Sequence, residues 1–395
     1  MSTVLAVFVD GLKPDSLAHM PFLDSVSFRR RIRTDLGYSI TCHASMYTGV
    51  YPEKHKMWFL WQYNPQRSPF RWIPDARIAS LLDNLGTRYL AARMARLFVS
   101  NSSYAGLSVM KKSALRNWRY FDTTEKKLWI ENGYIEGYPT IFDIISSRQI
   151  MAQYVGVGTI KQAGGALSHI RNYSVGQKVP RFIYLFIGEV DHVSHMFGQQ
   201  SPQAKQVLRE VDQEVCRIYE QVRARTRADP LLVCWSDHGH MMAPQQYDIY
   251  EGAAKVGLPL DRYVHIIDTN YARFWFRNDR ERRDIEDLLK HMPAGRILSD
   301  EDLRKYHTVM PDRRYGDLIF YLDAPYMFKR TVWGYGRHIR SIHGYLPDYP
   351  DKDGVFVSNI PIAKQSKLEL VDVAPSILAL LDCGGEGDYD GSPVW

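Results

Sequence analysis

Three runs of consecutive apolar residues each stop at or just before an aspartate: Val4–Val9 precedes Asp10, Phe182–Ile187 precedes Asp191, and Leu231–Trp235 precedes Asp237. A strand that is apolar at every position, rather than at alternate ones, has both faces buried. A mostly parallel sheet with helices on both sides meets that requirement, because its strands are joined by helical crossovers. Open sheets of this kind place their chemistry beyond the carboxyl ends of the strands. The three aspartates stand at those ends. The expected fold class is therefore α/β, a mostly parallel central sheet sandwiched by helices.

Between the apolar runs, Thr140–Ser147, Ser201–Arg225 and Val371–Leu381 read as helices. In the second of these, Val207, Val211, Val215 and Ile218 recur at helical spacing and mark a core face. Two segments break the pattern. From about 57 to 138 the chain turns aromatic and basic, with Trp58, Phe59, Trp61, Tyr63, Phe70 and Trp72, then Arg88, Arg93, Arg96, Lys111, Lys112, Arg116 and Arg119. This reads as an insertion over the active site. Residues 265–323 alternate a strand (Asn270–Phe276), a helix (Arg280–His291), a short strand (Gly295–Leu298), a helix (Asp300–Tyr306) and a strand (Asp317–Leu322), a small inserted α+β subdomain. The main domain is then 1–264 with 324–395.

With 395 residues, 45% hydrophobic and 24% charged, the chain has the material for a large core and is neither disordered nor fibrous. A formal charge of +6 suits an anionic substrate such as a phosphate ester, but over this length it is too weak to imply a nucleic acid partner. The first residues lack the basic region of a signal peptide, and their apolar stretch ends in Asp10. No run approaches the roughly 18 apolar residues of a membrane span. The expected location is cytoplasmic, with Cys42, Cys216, Cys234 and Cys383 as reduced thiols at spacings that suit neither zinc nor a disulfide.

Four short segments carry chemistry. From Gly37 to His55 the chain reads Gly-Tyr-Ser-Ile-Thr-Cys-His-Ala-Ser-Met-Tyr-Thr-Gly-Val-Tyr-Pro-Glu-Lys-His. In Glu189-Val-Asp191-His-Val-Ser-His195 an Asp and a His lie four apart, so on a helical turn both reach one ion. Trp235-Ser-Asp237-His238-Gly239-His240 puts an adjacent Asp and His after a strand, and Ile342-His343-Gly344-Tyr345 supplies a late His-Gly pair. Together these resemble the alkaline phosphatase superfamily, most closely its nucleotide pyrophosphatase/phosphodiesterase (type I phosphodiesterase) branch. That branch follows its nucleophile with a His and then Thr-Gly-x-Tyr-Pro-Glu-x-His, and reads Ser-Asp-His-Gly-Met where this chain has Ser236 to His240. Asp353-Gly-Val-Phe-Val-Ser and the stretch from Leu370 are similar to the family's closing strand and helix, so the likeness covers nearly the whole chain.

The resemblance implies an alkaline phosphatase-like fold with Ser39 as nucleophile, its hydroxyl capping a helix and activated by a metal rather than a general base. It implies one metal held by Asp10, Ser39, Asp237 and His238, and another by Asp191, His195 and His343. Mixed carboxylate and imidazole ligands favour two zinc ions, with manganese the alternative. His43 has a structural or supporting place, and His192, His240 and His338 read as ordinary hydrogen-bonded residues. The chain departs from the branch at Ser39-Ile-Thr-Cys42, where Thr-Phe-Pro-Asn is usual, and at Leu60, where a phosphate-binding Asn is expected. Asn64 is the candidate replacement donor.

The expected activity is metal-dependent hydrolysis of phosphate diesters or pyrophosphates through a phosphoserine. Phosphomonoester hydrolysis, phosphonate hydrolysis and phosphotransfer on the same framework are the alternatives, and a binding protein on a hydrolase fold is the non-enzymatic one. Trp58 and Trp61 stand as a wall for the second ester substituent, or else as core of the insertion. A sulfatase would need Pro and Arg where Thr41 and His43 stand. Leu90, Met94, Leu97 and Phe98 share a helical face beside Arg93 and Arg96, which suits weak contact with a membrane surface or a lid packed on the core.

Overall fold

The apolar runs pair with one another in the computed structural model, which describes residues 2–74, 76–96, 110, 113–157, 165–335, 339–385 and 387–395. The chain divides into two units. The first comprises Met1–His55, Trp129–Met242 and Ile339–Trp395, the second Lys56–Leu128 and Ala243–His338.

The first unit is built on a seven-stranded sheet. Its strands are β1 (Val4–Val9), β2 (Phe28–Arg33), β3 (Ala152–Val155), β4 (Phe182–Ile187), β5 (Leu231–Trp235), β6 (Gly354–Ser358) and β7 (Leu368–Glu369), in the order β7-β2-β6-β5-β1-β4-β3. Strands β3, β4, β1 and β5 are mutually parallel, and β6 runs antiparallel to both of its neighbours. Val9 faces Ile187 and Phe8 faces Trp235 across the central strands, so β1, β4 and β5 end level with one another. That register brings Asp10, Asp191 and Asp237 to one end of the sheet. The arginine-rich β2 lies one strand in from the edge, with Arg29 and Arg31 exposed and Arg30 donating to the Lys364 carbonyl.

All six residues of β1 are buried, for the reason the unbroken apolar run requires. Leu5, Val7 and Val9 point into a cluster with Leu208, Val211, Val215, Ile218 and Val222 of a long helix, Pro202–Thr226. Phe8, on the other face, packs against His43, Phe186 and Trp235. The long helix starts where Ser201 accepts a hydrogen bond from the Ala204 amide and Pro202 fixes the first turn. Truncating a side chain in this layer, as in Leu185→Ala, costs about 2–5 kcal/mol.

The second unit holds a four-stranded antiparallel sheet of Val264–Ile267, Tyr271–Trp275, Leu318–Tyr321 and Arg296–Ile297, with helices Asp279–Leu289 and Asp300–Lys305. Ile285, Leu288 and Leu289 of the first helix close its core over Phe274 and Phe320. The aromatic segment belongs to this same unit up to Leu128. Fully buried Arg273 ties the two together: it donates to Asp268 (2.8 Å) and to the Trp61 carbonyl (2.8 Å), with its guanidinium 4.2 Å from the centre of the Phe59 ring. Helix Leu85–Ala95 leaves Leu90 and Met94 exposed and buries Ala91, Ala92 and Ala95. Leu97, Phe98, Lys111 and Lys112 lie outside the described residues. Among the described residues no helix is long and apolar enough to cross a membrane.

One core group of the first unit is costly. Lys352 is fully buried and its Nζ has no hydrogen-bond partner among the described residues. Burial pulls its pKa down from 10.5 to about 7. The unfolded chain therefore binds the extra proton between pH 7 and 10.5, so stability falls as pH is lowered through that window and is level below it. Lys352→Met should melt at a higher temperature than the wild type at pH 7, with the gap closing towards pH 10. A gap that is constant across thermal melts from pH 7 to 10 would contradict this.

Candidate functional site

The three aspartates that follow β1, β4 and β5 converge with four imidazoles within the first unit. Asp10 directly continues β1. Asp191 and His195 lie on helix Glu189–Phe197, which starts two residues after β4, so the four-residue spacing sets Asp191 Oδ1 3.4 Å from His195 Nε2. Asp237 and His238 occupy the turn after β5, and His343 follows the short strand Ser341–Ile342, which pairs antiparallel with Met241–Met242.

Around His238 the donor atoms crowd together. Its Nε2 lies 3.0 Å from Ser39 Oγ, 3.1 Å from Asp237 Oδ2 and 3.5 Å from Asp10 Oδ1. A tetrahedral zinc with ligand bonds of 2.0–2.1 Å spaces its ligand atoms about 3.3 Å apart, so this cluster has the right size for one ion. Asp10 Oδ1 and Asp237 Oδ2 are buried and have no hydrogen-bond partner among the described residues. Buried carboxylate oxygens without donors call for a cation. Burial, with Asp237 and Asp191 nearby, raises the Asp10 pKa well above its ordinary value. Burial opposes the charged form of Asp237 too, but His238, His43 and the Gly11 amide outweigh it and hold that pKa down.

A second cluster forms around Asp191 Oδ1, with His195 Nε2 at 3.4 Å, His240 Nε2 at 2.8 Å and His343 Nε2 at 3.7 Å. The donor atoms of Asp191, His195 and His240 lie mutually within 4.8 Å, as do those of Asp191, His238 and His343, and those of Asp10, His43 and Asp237. The rings of His238 and His343 stack at 3.7 Å and join the two clusters. Both donor sets fit divalent metal ions.

Ser39 opens helix Ser39–Thr48 without capping it. The N-cap is Tyr38, which makes no side-chain cap, and the Ser39 hydroxyl faces His238. The expected helix cap is thus replaced by a hydroxyl free to engage the cluster. His43, one turn on, is buried against Trp129 and Phe8, and burial lowers its pKa to about 4.

The other expectations divide. His192 is exposed, and His338 lies outside the described residues. Trp58, Leu60 and Trp61 belong to the second unit and are 1%, 7% and 0% exposed, with Trp58 packed on Phe59 and Tyr315 and Trp61 on Phe70. This is core packing, and neither tryptophan presents a ring face for a ligand to stack on. Asn64 is half-buried in the same unit and accepts from the Arg67 amide at 3.2 Å. His240, read from sequence as ordinary, instead points into the Asp191 cluster. The available signal was its place two residues after His238, across a glycine.

Gly11 makes room for that cluster. Its φ is +72°, and a Cβ there would lie 3.0 Å from His240 Nε2 and 3.1 Å from Asp191 Cα. Gly11→Ala should cost about 1–2 kcal/mol in backbone strain and displace both side chains. The rise in melting temperature on adding zinc to metal-stripped protein should shrink relative to the wild type. A wild-type rise would show that the displacement does not occur.

The model of the type I phosphodiesterase / nucleotide pyrophosphatase family matches residues 4–346. No curated protein sequence matches the chain. Among solved structures, human ectonucleotide pyrophosphatase/phosphodiesterase 5 is similar at 14% identity and a TM-score of 0.67, over 99% of this chain and 97% of its own. The murine protein of the same name, solved as an inactive variant in complex with AMP, is similar at 13% identity and a TM-score of 0.65, over 99% and 98%.

Proposed function

The chain belongs to the type I phosphodiesterase / nucleotide pyrophosphatase family, a metal-dependent family of phosphoric ester hydrolases, and on that premise we propose that it cleaves phosphate diesters or pyrophosphates through a phosphoserine at Ser39. The supporting observation is the Ser39 hydroxyl 3.0 Å from His238 Nε2, beside the donor-less oxygens of Asp10 and Asp237.

Asp10, Ser39, Asp237 and His238 would hold one divalent ion, and Asp191, His195 and His343 a second. When bound, such a pair supplies positive charge to the phosphoryl oxygens and lowers the pKa of the serine hydroxyl. Ser39 Oγ attacks phosphorus as the bond to the departing oxygen breaks, and the hydroxyl proton leaves with the alcohol. Water then cleaves the phosphoserine, which releases a phosphate monoester and restores the hydroxyl. Helix Ser39–Thr48 sets the direction of attack, held at its far end by Gly49, whose φ of +75° ends the helix and which leaves no room for a Cβ against Tyr389. The AMP complex of the murine relative makes nucleotide esters the first substrate class to try.

Metal-stripped protein restored with zinc or manganese should cleave bis-p-nitrophenyl phosphate faster than p-nitrophenyl phosphate. Ser39→Ala should lose turnover on the order of 10³-fold or more while retaining its metal. Faster monoester cleavage would make the enzyme a phosphatase, and activity retained by Ser39→Ala would refute the nucleophile.

A further inference from the structure

We propose that His240 is a metal ligand, so that the ion held by Asp191, His195 and His343 has a fourth protein donor. The inference rests on the two-ion reading of the site and deepens it.

Three imidazole Nε2 atoms converge on Asp191 Oδ1, and that of His240 is the nearest at 2.8 Å. The His240 side chain is fully buried, and its ring lies 4.6 Å from that of His195 and 5.3 Å from that of His343. Its tautomer follows from its neighbours. Ser341 Oγ has a single hydrogen, which it donates to the Ser194 carbonyl at 2.5 Å. A carbonyl only accepts, so that hydrogen is committed. His240 Nδ1, 3.3 Å from the same Oγ, is then the donor of that pair, and Nε2 is left with its lone pair towards the Asp191 carboxylate. Two lone pairs facing each other at 2.8 Å need a proton or a metal ion between them, and the convergence of two further imidazoles on the same oxygen favours the metal.

The same strand fixes His195 the same way. Its Nδ1 lies 2.9 Å from the Ser341 carbonyl and must donate, which in the neutral ring leaves the Nε2 lone pair facing Asp191. Ser341 thus orients two rings, one through its hydroxyl and one through its carbonyl, in the manner of groups that hold metal-bound histidines. The backbone accommodates His240 here because Gly11 has no side chain to collide with its Nε2.

The donors gathered on Asp191 would then be three imidazoles and one carboxylate, whereas the cluster at Ser39 has one imidazole, two carboxylates and a hydroxyl. The two centres then differ in character. The Asp191 centre, richer in imidazole, favours zinc, and the Ser39 centre is the harder of the two and accepts manganese.

Two measurements test this on the full chain. In protein loaded with Co²⁺, each bound imidazole whose ring N–H is buried or hydrogen-bonded, and so exchanges slowly with water, gives a paramagnetically shifted proton resonance. Four such signals are expected, from His195, His238, His240 and His343, and three would overturn the assignment. Zinc titration against a chelator, with metal counted by mass spectrometry, separates ligation from support of Asp191. His240→Gln keeps an N–H donor for that carboxylate but offers no imidazole. It should weaken the second zinc by about 100-fold, as should His240→Ala, and leave the first within about threefold. Wild-type affinity for both ions in His240→Gln would overturn the proposal. A wild type that binds fewer than two ions would overturn the two-ion reading itself, and the proposal with it.

Discussion

Three carboxylates gathered at the ends of adjacent parallel strands, Asp10 and Asp237 buried and Asp191 half-buried, are the constraint around which the first unit is arranged. An ionised carboxylate out of water is costly unless paired with positive charge or hydrogen-bond donors. Among the imidazoles around Asp10, Asp191 and Asp237, burial holds His240 near pKa 4 and His343 well below its ordinary value, whereas at His195 Asp191 outweighs burial and raises the pKa. Divalent cations would resolve that imbalance, and the spacing of the donor atoms has the dimensions for them. The sheet supplies the rigidity, since the level ends of β1, β4 and β5 hold the aspartates while the core layer of Leu5, Val7 and Val9 anchors the strands from below.

Most of this was legible in the sequence because it follows from local rules. An unbroken run of six apolar residues has few options other than a buried strand, and Asp191 and His195 share a helical face by virtue of their spacing alone. The long helix was recognisable from Val211, Val215 and Ile218 and begins within one residue of its reading. The strands and helices of residues 265–323 were likewise local.

What escaped was non-local. Nothing in the order of residues tells that Trp58 and Trp61 are covered by Tyr315 and Phe70, or that Arg273 joins the aromatic segment to the small sheet through the Trp61 carbonyl. His240 escaped for a similar reason. Its place in the Asp191 cluster depends on Ser341, 101 residues away, and on a glycine at position 11 that yields the space. The Ser39 hydroxyl shows the converse: sequence indicated the correct helix end, but whether the side chain caps the helix or faces His238 is decided by the Asp237–His238 turn on another strand.

The proposed chemistry needs two cations beside Ser39, and anomalous X-ray scattering at the zinc edge from crystals grown with zinc tests for them directly. Two peaks are predicted, one among Asp10, Ser39, Asp237 and His238, the other among the side chains gathered on Asp191. A single peak, or zinc bound only elsewhere on the chain, would contradict it.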